Sequence, residues 1–140
     1  LIIEDFCPSI LEMAGIKRYK TVQKVDGKSF VPMLTQTGTT AKGRDLFWHY
    51  PNRWGETGPG IGTTSTVRSG DWKLIYWYKD QTFELYNIAN DIEEKNNLAQ
   101  SEPQKVKELA SKLGKYLRSV DAQRPVRKDN QQPVPWPDQL

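Results

Sequence analysis

The tightest constraint in this chain lies between Thr66 and Tyr86, where three β-prone runs follow one another with almost nothing between them. Thr66-Val67-Arg68-Ser69 is separated from Trp72-Lys73-Leu74-Ile75-Tyr76-Trp77-Tyr78 by Gly70-Asp71, and Lys79-Asp80-Gln81 leads on to Thr82-Phe83-Glu84-Leu85-Tyr86. Links this short cannot make a crossover, so the strands must be antiparallel neighbours. The Gly-Asp pair supplies the turn. Trp72, Tyr76 and Tyr78 recur at even spacing, which fits a packed sheet face better than a base-stacking surface.

A further strand precedes these three. In Arg44-Asp45-Leu46-Phe47-Trp48-His49-Tyr50-Pro51 the period is again two, with Leu46, Trp48 and Tyr50 on one face and Phe47 and His49 on the other. The pattern predicts that both faces are largely covered. Pro51 ends the strand, and the next residues form a glycine-rich loop, Asn52 to Thr64. Its Gly58-Pro59-Gly60-Ile61-Gly62 lacks the strand-to-helix context of a nucleotide fingerprint and reads as a surface loop. A four-stranded antiparallel sheet is the economical assembly.

Ser101-Glu102-Pro103-Gln104 has the form of a capping box with proline inside the start, and Val106, Leu109, Ala110, Leu113, Leu117 and Val120 continue it as one apolar stripe. Such a helix covers one face of the sheet and leaves the other to a neighbouring domain. From about residue 122 the prolines Pro125, Pro133, Pro135 and Pro137 predict an extended tail. Upstream, Asp5 to Ala14 reads as a short helix with Asp5 as N-cap and Gly15 as its left-handed stop. Phe6, Ile10, Met13 and Ala14 give it an apolar face in need of a partner. Val25-Asp26-Gly27 is a turn, Phe30, Val31, Met33 and Leu34 form one apolar helical turn, and residues 35–40 have linker composition. The fold class is therefore α+β.

Composition narrows the function classes. The formal charge of +3 comes from 20 basic and 17 acidic side chains that are dispersed along the chain, which argues against nucleic acid as a partner. No apolar run approaches the roughly 20 residues of a membrane span. The start, Leu1-Ile2-Ile3, has neither an initiator methionine nor a signal-peptide pattern, so the chain reads as a piece of a longer protein. A single cysteine allows no internal disulfide, and Cys7, among apolar neighbours, reads as a buried small hydrophobe. A single histidine rules out a two-histidine metal site. Asp91, Glu93 and Glu94 have no partner at metal-ligand spacing, and Asn87 to Glu93 lacks the glycine and closing glutamate of a calcium loop. The expected catalytic and metal residues are therefore none. His49, at a strand end beside a loop, is either a satisfied rim residue or a binding group.

The order of motifs carries more than any one of them. Asp5-Phe6-Cys7-Pro8-Ser9-Ile10-Leu11-Glu12-Met13-Ala14-Gly15 comes first, followed by Asp26-Gly27-Lys28-Ser29-Phe30-Val31-Pro32-Met33-Leu34. Next are Arg44 to Pro51, Val67-Arg68-Ser69-Gly70-Asp71-Trp72-Lys73-Leu74-Ile75, Phe83-Glu84-Leu85-Tyr86-Asn87, and Asp91 with Asn97-Leu98-Ala99. In this order they resemble the C-terminal part of the type I (arylsulfatase-like) sulfatases of the alkaline-phosphatase-like superfamily.

The resemblance implies a four-stranded antiparallel sheet packed against a long C-terminal helix, preceded by the helical remnant of a larger α/β domain. Residues 1–43 would end that large domain, and residues 44–140 would form the smaller subdomain. It implies a sulfuric ester hydrolase, exported to the periplasm, the exterior or a lysosome-type compartment, acting on a sulfated carbohydrate or aryl sulfate. Calcium and a formylglycine made from a Cys/Ser-x-Pro-x-Arg motif would lie in the missing N-terminal catalytic domain. Cys7-Pro8-Ser9-Ile10-Leu11 does not fit that motif, so the fragment alone is expected to be inactive. It also implies that His49, Arg53 and Trp54 reach the substrate: His49 to a hydroxyl or sulfate oxygen, Arg53 to an anionic group, Trp54 to a sugar ring. Arg68 is expected to pair inside the sheet region, for example with Glu84, rather than with ligand. Two other readings stand beside this one: a non-catalytic carbohydrate-binding or interaction module, and a phosphodiesterase or phosphonate hydrolase relative.

Overall fold

The computed structural model describes residues 1–16, 18–22, 25–38, 43–52 and 62–140, which form two compact units, Leu1–Arg44 and Asp45–Leu140.

In the first unit a 3-10 turn, Ile3–Asp5, runs into helix α1, Phe6–Met13, and a short helix α2 spans Val31–Leu34. Asp5 does not cap α1 through its side chain, contrary to the sequence expectation. Its fully buried carboxylate instead accepts from the Ile2 amide at 3.0 Å, the Lys28 amide at 2.9 Å and both terminal nitrogens of Arg44 at 2.8 and 2.9 Å. A carboxylate withdrawn from water must have its lone pairs filled, and a bidentate guanidinium fills them better than one helical amide. Ser9 adds a second knot, donating to the Asp5 carbonyl at 2.6 Å and accepting from the Phe30 amide at 2.9 Å. A methyl at Gly27 would collide with the Glu4 carbonyl, so only glycine lets these two segments meet. Phe6 packs edge-on against Phe30. Ile10 and Met13 remain more than half exposed, so the apolar face of α1 is largely uncovered within its unit. Cys7 is exposed, not buried as its neighbours imply.

The second unit is built on strands β1, Leu46–Tyr50; β2, Thr64–Ser69; β3, Trp72–Trp77; and β4, Thr82–Asn87, all antiparallel in the order β1-β2-β3-β4. Gly70 at φ +61° and Gln81 at φ +53° make the two tight reversals. Helix α3, Pro103–Ser119, lies on one face and buries Leu109, Ala110, Leu113 and Leu117 against Val67, Leu74, Tyr76 and Leu85. Phe47 stacks on Tyr116 with ring centroids 3.9 Å apart, which ties β1 to the helix. Leu98 returns to the core by donating its amide to the Leu85 carbonyl at 2.8 Å.

Several local expectations are corrected. The capping box does not form: Glu102 occupies the N-cap without a side-chain bond, and the Ser101 hydroxyl turns back to the Leu98 carbonyl at 3.2 Å. Val120 lies past the end of α3 and is half exposed. On β1 the Trp48 and Tyr50 side is open, with the two residues 46 % and 42 % exposed, so this strand is covered on one face only. Arg68 does not meet Glu84. It bonds the Gly70 carbonyl at 3.4 Å, while Glu84 accepts from Tyr86 at 3.1 Å, because Arg68 lies opposite Lys73 and Glu84 opposite Ile75.

The proline-rich tail folds back instead of running straight. Val126 bridges antiparallel to Pro133, and Gln131 at φ +56° helps turn the chain. Val134 and Pro137 are buried, and Trp136 packs on the core under the Arg124 guanidinium, 4.5 Å from its ring. A 3-10 turn, Pro137–Gln139, docks on α3 at Gly114.

Candidate functional site

Strand β1 ends at Tyr50, and its register places Tyr50 opposite Thr64, Thr64 opposite Trp77, and Trp77 opposite Thr82. One end of the sheet, where β1 ends and β2 begins, therefore gathers His49, Ser65 and Tyr78. The alternation that points Phe47 toward α3 points His49 the same way, into the space between the sheet and the chain that leaves the helix.

There the imidazole is held at both nitrogens. Nδ1 lies 2.7 Å from the Ser65 hydroxyl, which lies 2.8 Å from the Tyr78 hydroxyl, and Nε2 lies 2.7 Å from the Gln123 carbonyl. A carbonyl only accepts, so Nε2 carries the proton; in the neutral ring Nδ1 then accepts from Ser65, and Ser65 accepts from Tyr78. The Tyr78 ring also meets the imidazole edge-on at 6.1 Å between centroids. Burial pushes the His49 pKa below its usual value, an effect the Gln123 carbonyl partly offsets. Burial likewise pushes the Tyr78 phenol up, which keeps it a donor at neutral pH. The arrangement locks the end of β1 to the segment after α3. Nε2 reaches a ligand oxygen only by exchanging the Gln123 carbonyl for it.

Of the residues singled out from sequence, His49 is placed here, whereas Arg53 and Trp54 lie outside the described residues. Ser65, Tyr78 and the Gln123 backbone were not foreseen as its partners. Ser65 sits one residue before the β-prone run begins, and Tyr78 was legible only as a core aromatic. The other face of the sheet carries a second constellation. Trp48, Thr66, Arg68, Ile88 and Ile92 line an open groove of about 320 Å³ beside the Lys73–Glu94 ion pair at 2.6 Å.

Neither calcium nor a formylglycine fits the residues described. Among them no three His, Cys, Asp or Glu side chains converge on a common point. The Asp91 carboxylate is occupied by the Lys95 and Asn96 amides at 3.1 and 2.8 Å. Cys7 stands in no Cys/Ser-x-Pro-x-Arg motif. No chemical step is assigned to this chain through either group. Among the described residues no helix is long and apolar enough to cross a membrane.

Comparison with known proteins gives this geometry its context. Residues 2–123 match the family model described as N-sulphoglucosamine sulphohydrolase, C-terminal. A protein named "Sulfatase" from Formosa agariphila is 35 % identical over 120 residues, covering 82 % of this chain and 22 % of that protein. The uncharacterized sulfatase YdeN of Escherichia coli is 27 % identical over an alignment of 159 residues, covering 91 % of this chain and 27 % of YdeN. BT4656, solved with its substrate D-glucosamine-2-N,6-O-disulfate, superposes with a TM-score of 0.64 at 29 % identity, over 84 % of this chain and 24 % of that one. BT1596, a 2-O GAG sulfatase, shares the fold with a TM-score of 0.62 at 22 % identity, over 84 % of this chain and 24 % of its own. The chain thus spans about a quarter of the length of these relatives. The α+β arrangement of four antiparallel strands under one long helix is that of these sulfatases, and the chain belongs to the N-sulphoglucosamine sulphohydrolase C-terminal family.

Proposed function

We propose that this chain is the C-terminal part of an exported sulfatase that hydrolyses sulfate esters of sulfated glycans, and that it forms a wall of the substrate cleft. The nucleophile and the calcium site belong to the N-terminal catalytic domain that accompanies it. The family match over residues 2–123 and the likeness to BT4656 support the reaction class. On this reading residues 1–43 end the catalytic domain, and residues 44–140 are the smaller subdomain.

The observation that carries the recognition role is the build of the sheet end. The stretch of sequence between β1 and β2 is the longest between neighbouring strands, and it follows a strand end that His49 anchors at both ring nitrogens. A rigid strand end fixes where a loop begins, which is what presentation of Arg53 to an anion and Trp54 to a sugar ring requires. His49 joins them by trading the Gln123 carbonyl for a substrate oxygen.

The test is product release by the complete enzyme. Incubated with glucosamine carrying N- and 6-O-sulfate, and separately with a phosphodiester and a phosphonate ester, it is expected to release sulfate and leave the phosphorus compounds intact. Release of phosphate or alcohol from the phosphorus compounds alone would assign it to phosphoryl chemistry. Glycan binding with no hydrolysis of any substrate would make it a binding module.

A further inference from the structure

The same end of the sheet carries a cavity. It has a volume of about 370 Å³ and lies between the sheet end, at Thr63, Tyr78, Lys79 and Gln81, and the folded-back tail. From the tail Pro125, Val126, Val134, the cations Arg127 and Lys128 and the carboxylate of Asp129 line it. The tail wall is a built element. Arg127 donates its amide to the Gln132 carbonyl at 2.9 Å, Val134 donates to the Pro125 carbonyl at 2.9 Å, and the Val126–Pro133 bridge lies between them.

The charges at the cavity are unbalanced. Arg127 grips Asp129 with two nitrogens at 3.2 and 3.1 Å, which neutralises that pair. Among the described residues, neither Lys79 nor Lys128 forms an ion pair. Two exposed lysines, Lys79 at the sheet end and Lys128 on the tail, therefore line one concavity together with the buried Tyr78 and Val134. A concavity walled by low-dielectric groups focuses the field of such cations and raises its attraction for an anionic group. The Thr63 and Gln81 side chains add neutral donors and acceptors of the kind that hydroxyls take. The volume suits one sugar ring with a substituent and is too small for a nucleic-acid duplex.

We infer that the Lys79–Lys128 cavity is a second binding site, which takes a sulfate group on a sugar of the glycan other than the one being cleaved. This rests on the reading of the enzyme as a glycan sulfatase. It extends that reading from a single sulfated sugar to a chain of them, gripped at the scissile ester and again at this cavity.

The test is a chemical-shift titration of the isotope-labelled protein, read at the amides of Lys79, Gln81 and Lys128. The probes are a disaccharide of N- and 6-O-sulfated glucosamine, its unsulfated counterpart, and inorganic sulfate. The sulfated disaccharide is expected to shift these amides saturably, the unsulfated one to leave them unmoved, and inorganic sulfate to act only at much higher concentration. Lys79→Gln with Lys128→Gln should weaken binding about tenfold, as loss of hydrogen bonds to a charged group does. Lys107→Gln with Lys115→Gln, which removes equal charge from α3, should leave it unchanged. The site is overturned by equal shifts with the unsulfated sugar, by inorganic sulfate binding as tightly as the disaccharide, by both double variants weakening binding alike, or by no shift at these amides. Binding is read here without turnover, so an enzyme that releases no sulfate would refute the proposed reaction while the titration still decides the cavity.

Discussion

Gly114 of α3 and Asp138 of the C-terminal turn lie so close that a methyl on Gly114 would run into the Asp138 carboxylate. The absence of a side chain lets that carboxylate reach over the helix to Arg118, where it makes two bonds of 2.9 and 2.6 Å. Gly114→Ala should therefore destabilise the second unit by about 2 kcal/mol, as overpacking of a close contact does. Thermal unfolding of Gly114→Ala, Asp138→Ala and the double variant checks it. The double variant should recover part of the loss, because the second change removes the group the methyl strikes.

The Asp5–Arg44 pair holds the first unit together across 39 residues of sequence. Asp5→Ala leaves Arg44 without its partner and strands the Ile2 and Lys28 amides, at a cost of roughly 3 kcal/mol. Arg44 lowers the Asp5 pKa far below its ordinary 3.8, overcoming the opposing effect of burial. Folding stability from this group is complete above 3.8, where the unfolded chain is also ionised, and declines as the pH falls toward the folded value. Acid unfolding of the wild type followed below pH 3.8 should show this slope, and Asp5→Asn should flatten it.

His49 titrates in the opposite chemical sense, with a related outcome. Burial lowers its pKa from 6.5, so below that pH the unfolded chain takes up a proton that the folded chain resists. Stability contributed by the neutral ring is full above 6.5 and is lost as the pH falls through the folded value. Protonation also turns Nδ1 into a donor, so the Ser65 hydroxyl proton must turn away from it. Denaturation midpoints between pH 7.5 and 5 should fall for the wild type, and His49→Gln should remove most of that slope.

The sheet was legible because alternation and very short links leave antiparallel neighbours no other arrangement. Helix α3 was legible from an apolar stripe that runs from Val106 to Leu117. Asp5 was misread because an aspartate before an apolar run looks like a cap locally, while its real partner, Arg44, is distant in sequence. The tail was misread because proline content predicts extension, whereas the reversal depends on Gln131 adopting a positive φ and on Gly114 leaving room for Asp138. For the candidate site, His49 stood out by its chemistry and its place at a strand end. Its partners were not. Ser65 is reached through the β1–β2 register, and Gln123 contributes only a backbone carbonyl, which no residue type announces.

The central claim is that this chain recognises the substrate while the reaction is carried out elsewhere in the enzyme. Steady-state kinetics of the complete enzyme carrying Arg53→Ala or Trp54→Ala, on N- and 6-O-sulfated glucosamine, test it most directly. The account predicts a KM raised about tenfold or more with kcat largely retained, the signature of lost binding shared by ground state and transition state. A collapse of kcat at unchanged KM, or unchanged kinetics in both variants, would contradict it.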